Sequence, residues 1–161
     1  MGMARLALVR RKVRTYRVAF SDLNAVTGVA IELIGAANKL ITLRHIQISK
    51  PTVAHAPYKL EKLSTACTIG TSTTPTPLPT RTSMAAADAV VKLYTVAPTK
   101  GTLVDQAQEI DIAATDVVNE NYGDGDSQSG AFRLEAAAQV LVVVIDADSV
   151  MNGYIEWEEE P

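Results

Sequence analysis

The sequence predicts an all-β chain, an antiparallel β-sandwich of about eight short strands with a basic N-terminal arm. Three observations lead there. Apolar residues recur with a period of two along most of the chain, whereas helical periodicity is scarce. Clusters of Gly, Pro, Asn and Asp separate the alternating runs at roughly regular spacing. The length, 161 residues, suits one domain with a core of its own.

The elements follow in order. Tyr16, Val18 and Phe20 alternate with Arg17 and Ala19. Val29, Ile31 and Leu33 alternate with Ala30 and Glu32, so each run offers one apolar strand face. Asp22, Asn24 and Gly28 mark a turn over 21–28. Residues 35–39 form a short connection to a run over 40–49, and these two runs are expected to pair as a hairpin. Within 40–49 the parity changes, with Ile41 and Leu43 on one side and Ile46 and Ile48 on the other. A β-bulge near Arg44 and His45 reconciles them, as does burial on both faces. Pro51 ends the ladder, and a new strand follows Pro57.

Residues 65–83 hold eight Thr and three Pro and read as an extended surface loop. Residues 84–89 add one helical turn, with Ser83 as N-cap. A strand over 90–96 and a turn over 97–101 come next, then a short strand marked by Ile110 and Ile112. Residues 119–130 form a polar loop, and 131–136 alternate again. Residues 141–145 are a wholly apolar strand, 146–152 turn the chain, and Gly153, Ile155 and Trp157 alternate in a closing strand. Eight or nine strands with long crossing loops favour a jelly roll within the sandwich class. The arm occupies 1–15 and the single domain 16–161.

Charge is unevenly placed. Arg5, Arg10, Arg11, Lys12, Arg14 and Arg17 give residues 1–17 six basic groups and no acid, while the remainder carries 9 basic and 18 acidic residues. Such an arm is drawn to an acidic partner or to a neighbouring copy, and Leu6, Leu8 and Val9 add apolar anchoring. Arg5, Arg10, Arg11, Lys12 and Arg14 are therefore the candidate partner-binding residues. Only Tyr16 interleaves this cluster as a stacking aromatic and the rest of the chain is acidic, which argues against nucleic acid. Cys67 is the sole cysteine, so neither an intrachain disulfide nor a cysteine-based zinc site is expected. No apolar run approaches the roughly 18 residues of a membrane span, and the short apolar stretch at 6–9 lies before most of its charges, unlike a signal peptide. A protein made in the cytoplasm is expected.

Signals for chemistry are weak. His45 and His55 are the only histidines, and they do not form the His-x-His pair of a metal-binding cupin. No nucleophile elbow or phosphate-binding glycine fingerprint is present, and Cys67 sits in a Thr-rich loop. Asp124 and Asp126 match only the start of a calcium loop. No enzyme, metal or cofactor is expected.

Several segments resemble a known family. These are 91–95 (Val-Lys-Leu-Tyr-Thr), 97–103 (Ala-Pro-Thr-Lys-Gly-Thr-Leu), Phe132-Arg133-Leu134 and 152–159 (Asn-Gly-Tyr-Ile-Glu-Trp-Glu-Glu), with 35–41 and the strand at 16–20. Together they resemble small capsid decoration, or cement, proteins of tailed bacteriophages, which have a jelly-roll fold. The likeness covers most of 16–159, and 1–15 lies outside it. It implies a homotrimer on the exterior of a phage head, bound to the major capsid protein and stabilising the lattice. The alternative is another virion component, a neck, tail or host-glycan-binding module. Outward-facing residues such as Tyr94 and Tyr154 are expected to supply the subunit contact.

Overall fold

The computed structural model describes residues 13–49, 57–81, 84–110, 117–122 and 132–161. Among these residues twelve strands form two antiparallel sheets. They are β1 (Arg14–Ala25), β2 (Gly28–Ile34), β3 (Leu40–Ser49), β4 (Tyr58–Leu63), β5 (Thr71–Thr73) and β6 (Leu78–Pro79), then β7 (Val90–Val96), β8 (Leu103–Ile110), β9 (Val117–Asn121), β10 (Arg133–Leu134), β11 (Val140–Ile145) and β12 (Ser149–Glu160).

The first sheet runs β10-β3-β12-β1-β6, with β9 also on β3. The second runs β5-β7-β2-β11-β4-β8. The central neighbour pairs of one sheet recur in the other: β1 lies on β12 as β2 lies on β11, and β3 lies on β12 as β4 lies on β11. The sandwich is thus one ladder folded double, which is the jelly-roll arrangement. The fold is tied at one end, where β1 passes into β2 and β11 into β12. There the Thr27 amide and hydroxyl both donate to Asp148 Oδ1, at 2.7 and 3.0 Å.

This topology corrects the expected hairpin. β2 and β3 belong to different sheets, and residues 35–39 cross between them. Local alternation identifies strands but carries no information on which distant strand each one meets.

Two bulges keep the core faces in phase. On β3, His45 pairs Glu156 and Leu43 pairs Trp157, so Arg44 is the extra residue. Ile41, Leu43, Ile46 and Ile48 consequently all face the core, which selects the expected bulge over burial on both faces. On β1 the register slips between Phe20 and Leu23, with Asp22 at φ 51°. The strand therefore continues to Ala25, and the expected turn over 21–28 shrinks to residues 26 and 27. Opposite the bulge, a Cβ on Gly153 would lie 1.9 Å from the Gln47 carbonyl oxygen, so only glycine lets β12 and β3 approach there.

Trp157 and Tyr16 are fully buried with ring centroids 6.0 Å apart, and they anchor the core between the sheets. β11 is apolar on both faces for a reason. Leu141, Val143 and Ile145 join the main core, while Val140 and Val142 join a second cluster on the outer side of the second sheet.

That second cluster exists because of the long connection between β4 and β8. Residues 64–102 leave β4, lay β5 at one edge of the second sheet, place β6 on the β1 edge of the first, and return as β7 on β2. Residues 97–102 then pass back to β8, bridged on the way by Thr68 and Thr99. The segment read as one loop over 65–83 thus contains two short edge strands, where Pro79 is tolerated. Residues 84–89 form no helical turn. The Tyr16 hydroxyl donates to the Ala85 carbonyl, and the Asp88 and Ala89 amides donate to Glu159, so tertiary partners take the groups a helix would use. The short strand expected at Ile110 and Ile112 is met at Ile110 as the end of a longer strand, β8, paired to β4, and Ile112 lies outside the described residues; β9 overlaps the start of the loop expected over 119–130, and pairing to β3 makes it a strand. The closing strand likewise begins at Ser149, inside the expected turn.

Candidate functional site

Three buried carboxylates set the character of the molecule. Glu32 projects from the outer side of β2 yet is 0% exposed. The Cys67 amide donates to its Oε1 at 2.7 Å, the Tyr94 hydroxyl donates to Oε2 at 2.7 Å, and Lys92 Nζ lies 3.7 Å away. Glu61 on β4 is buried too and accepts from Lys100 Nζ at 2.8 Å. Glu159 on β12 accepts from the amides of Asp88 and Ala89 and from the Trp157 indole N–H at 3.0 Å. Cys67, Tyr94, Lys100, Asp88 and Ala89 all belong to residues 64–102. The three carboxylates therefore fasten the long connection to the sandwich, each with charge-assisted hydrogen bonds.

Alternation in β2 and β4 marks Glu32 and Glu61 as solvent-facing, and only the covering segment makes them interior. No local sequence signal announces this. Tyr94, expected to face outward as a contact residue, is buried beneath the same cover with its hydroxyl on Glu32. Burial first, and then the hydrogen bond to Glu32, hold its phenol above the ordinary range. Burial and the Glu32 carboxylate likewise push the Cys67 thiol up to about 11, which suits a packed side chain and not a nucleophile.

The outer face of the first sheet is open and polar. The Arg17 guanidinium lies 4.2 Å from the Tyr154 ring centroid and pairs with Glu156 at 2.7 Å. The Tyr154 hydroxyl hydrogen-bonds His45 Nδ1 at 3.0 Å, and His45 Nε2 bonds Asn119. Both His45 ring nitrogens are thus engaged by side chains. Among the described residues there is no group of three or more His, Cys, Asp or Glu placed to hold a metal ion. No helix among them is long and apolar enough to cross a membrane. His55, Asp124 and Asp126 lie outside the described residues.

Of the candidate partner-binding residues, Arg5, Arg10, Arg11 and Lys12 lie outside the described residues. Arg14 opens β1 opposite Glu159. It lines a surface cleft of about 440 Å³ with Arg81, Met84 and Glu158, so the arm leaves the domain beside the 84–89 segment.

Apolar groups are displayed elsewhere. Ile69, at the turn of the covering segment, is 85% exposed and has φ 63°. β-Branched residues seldom occupy this left-handed region. Gly70 follows at φ 89°, where a Cβ would lie 2.8 Å from the Val96 carbonyl oxygen, so the turn is pressed onto β7. At the far edge of the second sheet, Leu103 and Val104 of β8 are also exposed.

No family model matches the chain, and neither the curated proteins nor the solved structures contain a match to it.

Proposed function

We propose that this chain is a virion structural protein, a capsid decoration protein that binds the outer surface of a phage head as a trimer and stabilises it. One observation carries the reading. The buried polar groups Glu32, Glu61 and Glu159 each fasten the 64–102 segment, so they serve rigidity. A lattice clamp needs a stiff body that displays fixed contacts, and the held turn at Ile69 is one such contact. The segments at 91–95, 97–103 and 152–159 that resemble the decoration family add support. The basic arm supplies charge for an acidic partner surface. A neck, tail or glycan-binding role is the alternative, and Tyr154, stacked beneath Arg17 on an open face, is the feature that favours a glycan.

The test is to add purified protein to phage heads lacking it and image them. Density at regular positions on the head exterior, with threefold symmetry and greater resistance of the heads to heat, is the expected result. Occupancy restricted to the neck or tail would replace the head assignment.

A further inference from the structure

β6 ends the path of the first sheet, beside β1. Its register on β1 is regular, with Leu78 opposite Arg17 and Pro79 opposite Tyr16. The Thr80 amide donates to the Thr15 carbonyl at 3.0 Å. Residues of an antiparallel strand turn their amides alternately toward one neighbour and away from it. Position 80 faces β1, so position 78 does too, and positions 77 and 79 face away. Exposure keeps the same two-residue repeat through 74–80. Thr74, Thr76, Leu78 and Thr80 are exposed, and Pro75, Pro77 and Pro79 between them are half-buried. Pro77 is therefore in phase with Pro79. Both positions whose amides would leave the sheet are proline, which has no N–H. The outward side of this edge presents carbonyls and no donor.

The rest of the segment offers no other protection. Sheet edges are commonly blunted by charge, by proline or by a cover. Residues 65–80 contain no charged side chain. They are rich in threonine, which favours strands, and Leu78 is 68% exposed. Uncharged, strand-favouring segments of this kind stack on copies of themselves unless proline interrupts them. A strand laid antiparallel on an edge exchanges N–H and C=O bonds in both directions. On this edge it can only donate, and its own carbonyls meet proline rings.

We propose that Pro77 and Pro79 are gatekeepers, which close the β6 edge to strand pairing with a second copy of this chain. Contacts between copies at this side are thereby confined to side chains. The inference concerns the free protein and does not use the function proposed above.

The test restores the two donors in the full-length chain. Pro77→Thr/Pro79→Thr is compared with the unsubstituted chain by analytical ultracentrifugation over a wide range of concentration, and the near-ultraviolet signal of Trp157 checks the fold. The expected result is association that grows with concentration beyond that of the unsubstituted chain. The amides created at positions 77 and 79 should exchange hydrogen at least roughly tenfold more slowly in concentrated than in dilute solution. Adding Leu78→Lys to the pair sets a charge on the same edge and should return the mass to that of the unsubstituted chain. Pro77→Thr alone alters no residue paired to β1, and it is read in the same way where the double variant loses the Trp157 signal. Equal mass for the substituted and unsubstituted chains at every concentration would overturn the proposal. So would new amides protected as strongly in dilute solution, which would lay another part of the same chain along the edge. Association that survives Leu78→Lys would overturn it too, by placing the contact elsewhere on the molecule.

Discussion

The Tyr94 hydroxyl donates to Glu32 at 2.7 Å beneath the 64–102 segment, joining β7 to a carboxylate on β2 that no solvent reaches. Removing either partner leaves a buried group unsatisfied. Tyr94→Phe should cost roughly 1.5–3 kcal/mol, the range for a hydrogen bond to a charged group. Glu32→Ala, which also strands the Cys67 amide, should cost at least about 2 kcal/mol. The double variant should cost less than the sum, because the two share one interaction. Denaturant unfolding of all four proteins measures this. Strict additivity would mean that the hydroxyl and the carboxylate do not support each other.

Cys67 reports on the same cover. Burial first, and then the Glu32 carboxylate, push its thiol up to about 11, so little thiolate is present near neutral pH. Folded protein at pH 8 should therefore react with a thiol reagent much more slowly than unfolded protein, because both the thiolate and access to it are scarce. Glu32→Ala should speed the reaction while β-sheet circular dichroism is retained, since the cover opens before the sandwich does. Labelling that keeps pace only with global unfolding would show that cover and sandwich open together.

How much of this was legible in the sequence depends on the range of the interaction. Period two located most of the strand cores, and the parity change between Leu43 and Ile46 called for either a bulge near Arg44 and His45 or burial on both faces, because both are properties of one strand; the pairing to β12 selects the bulge. Pairing was not legible. The 35–39 connection looks like a hairpin and is a crossing between sheets, since β2 finds β11 and β7 instead. Nor was the interior role of Glu32, Glu61 or Glu159, which each owe their burial to a segment distant in sequence. The left-handed Ile69 backbone likewise sits beside the Thr68 and Thr99 bridge, a contact between segments some thirty residues apart that local pattern does not reveal.

Tyr58 offers a stabilising substitution. Its hydroxyl is buried in the core with no hydrogen-bond partner among the described residues. Burial holds its phenol far above the ordinary range. Tyr58→Phe keeps the ring and removes a buried hydroxyl that has no partner among the described residues, so stability should rise by about 1 kcal/mol. A lower melting temperature would reveal a partner for that hydroxyl.

The corner joined by Thr27 and Asp148 should titrate. The Thr27 amide and hydroxyl hold the Asp148 carboxyl below its ordinary range. A lowered folded value means that stability from this contact is fully present above the unfolded value of 3.8 and is lost as pH falls through the folded one. The stability gap between the unsubstituted chain and Asp148→Ala should be constant from pH 7 to 5 and shrink below pH 4. A gap that widens on acidification would reverse the sign of the contact.

Ile69 separates stability from attachment. A β-branched side chain at φ 63° is strained, and left-handed backbone costs an L-residue roughly 1–2 kcal/mol. Nothing in the fold recovers this by burial, since the side chain is 85% exposed. Asparagine tolerates the same conformation, so Ile69→Asn should stabilise the isolated protein by about 1 kcal/mol. A strained, exposed apolar residue on a fastened turn points to a contact made with something else. On the reading proposed here that contact is the head surface or a neighbouring copy on it. Ile69→Asn should then weaken occupancy of heads severalfold while raising the melting temperature. Salt distinguishes this contact from the arm, because ionic contacts weaken as salt rises and apolar ones do not. The occupancy defect of Ile69→Asn should be the same at low and high salt. If the variant is more stable and occupies heads as fully as the unsubstituted chain, Ile69 makes no attachment contact.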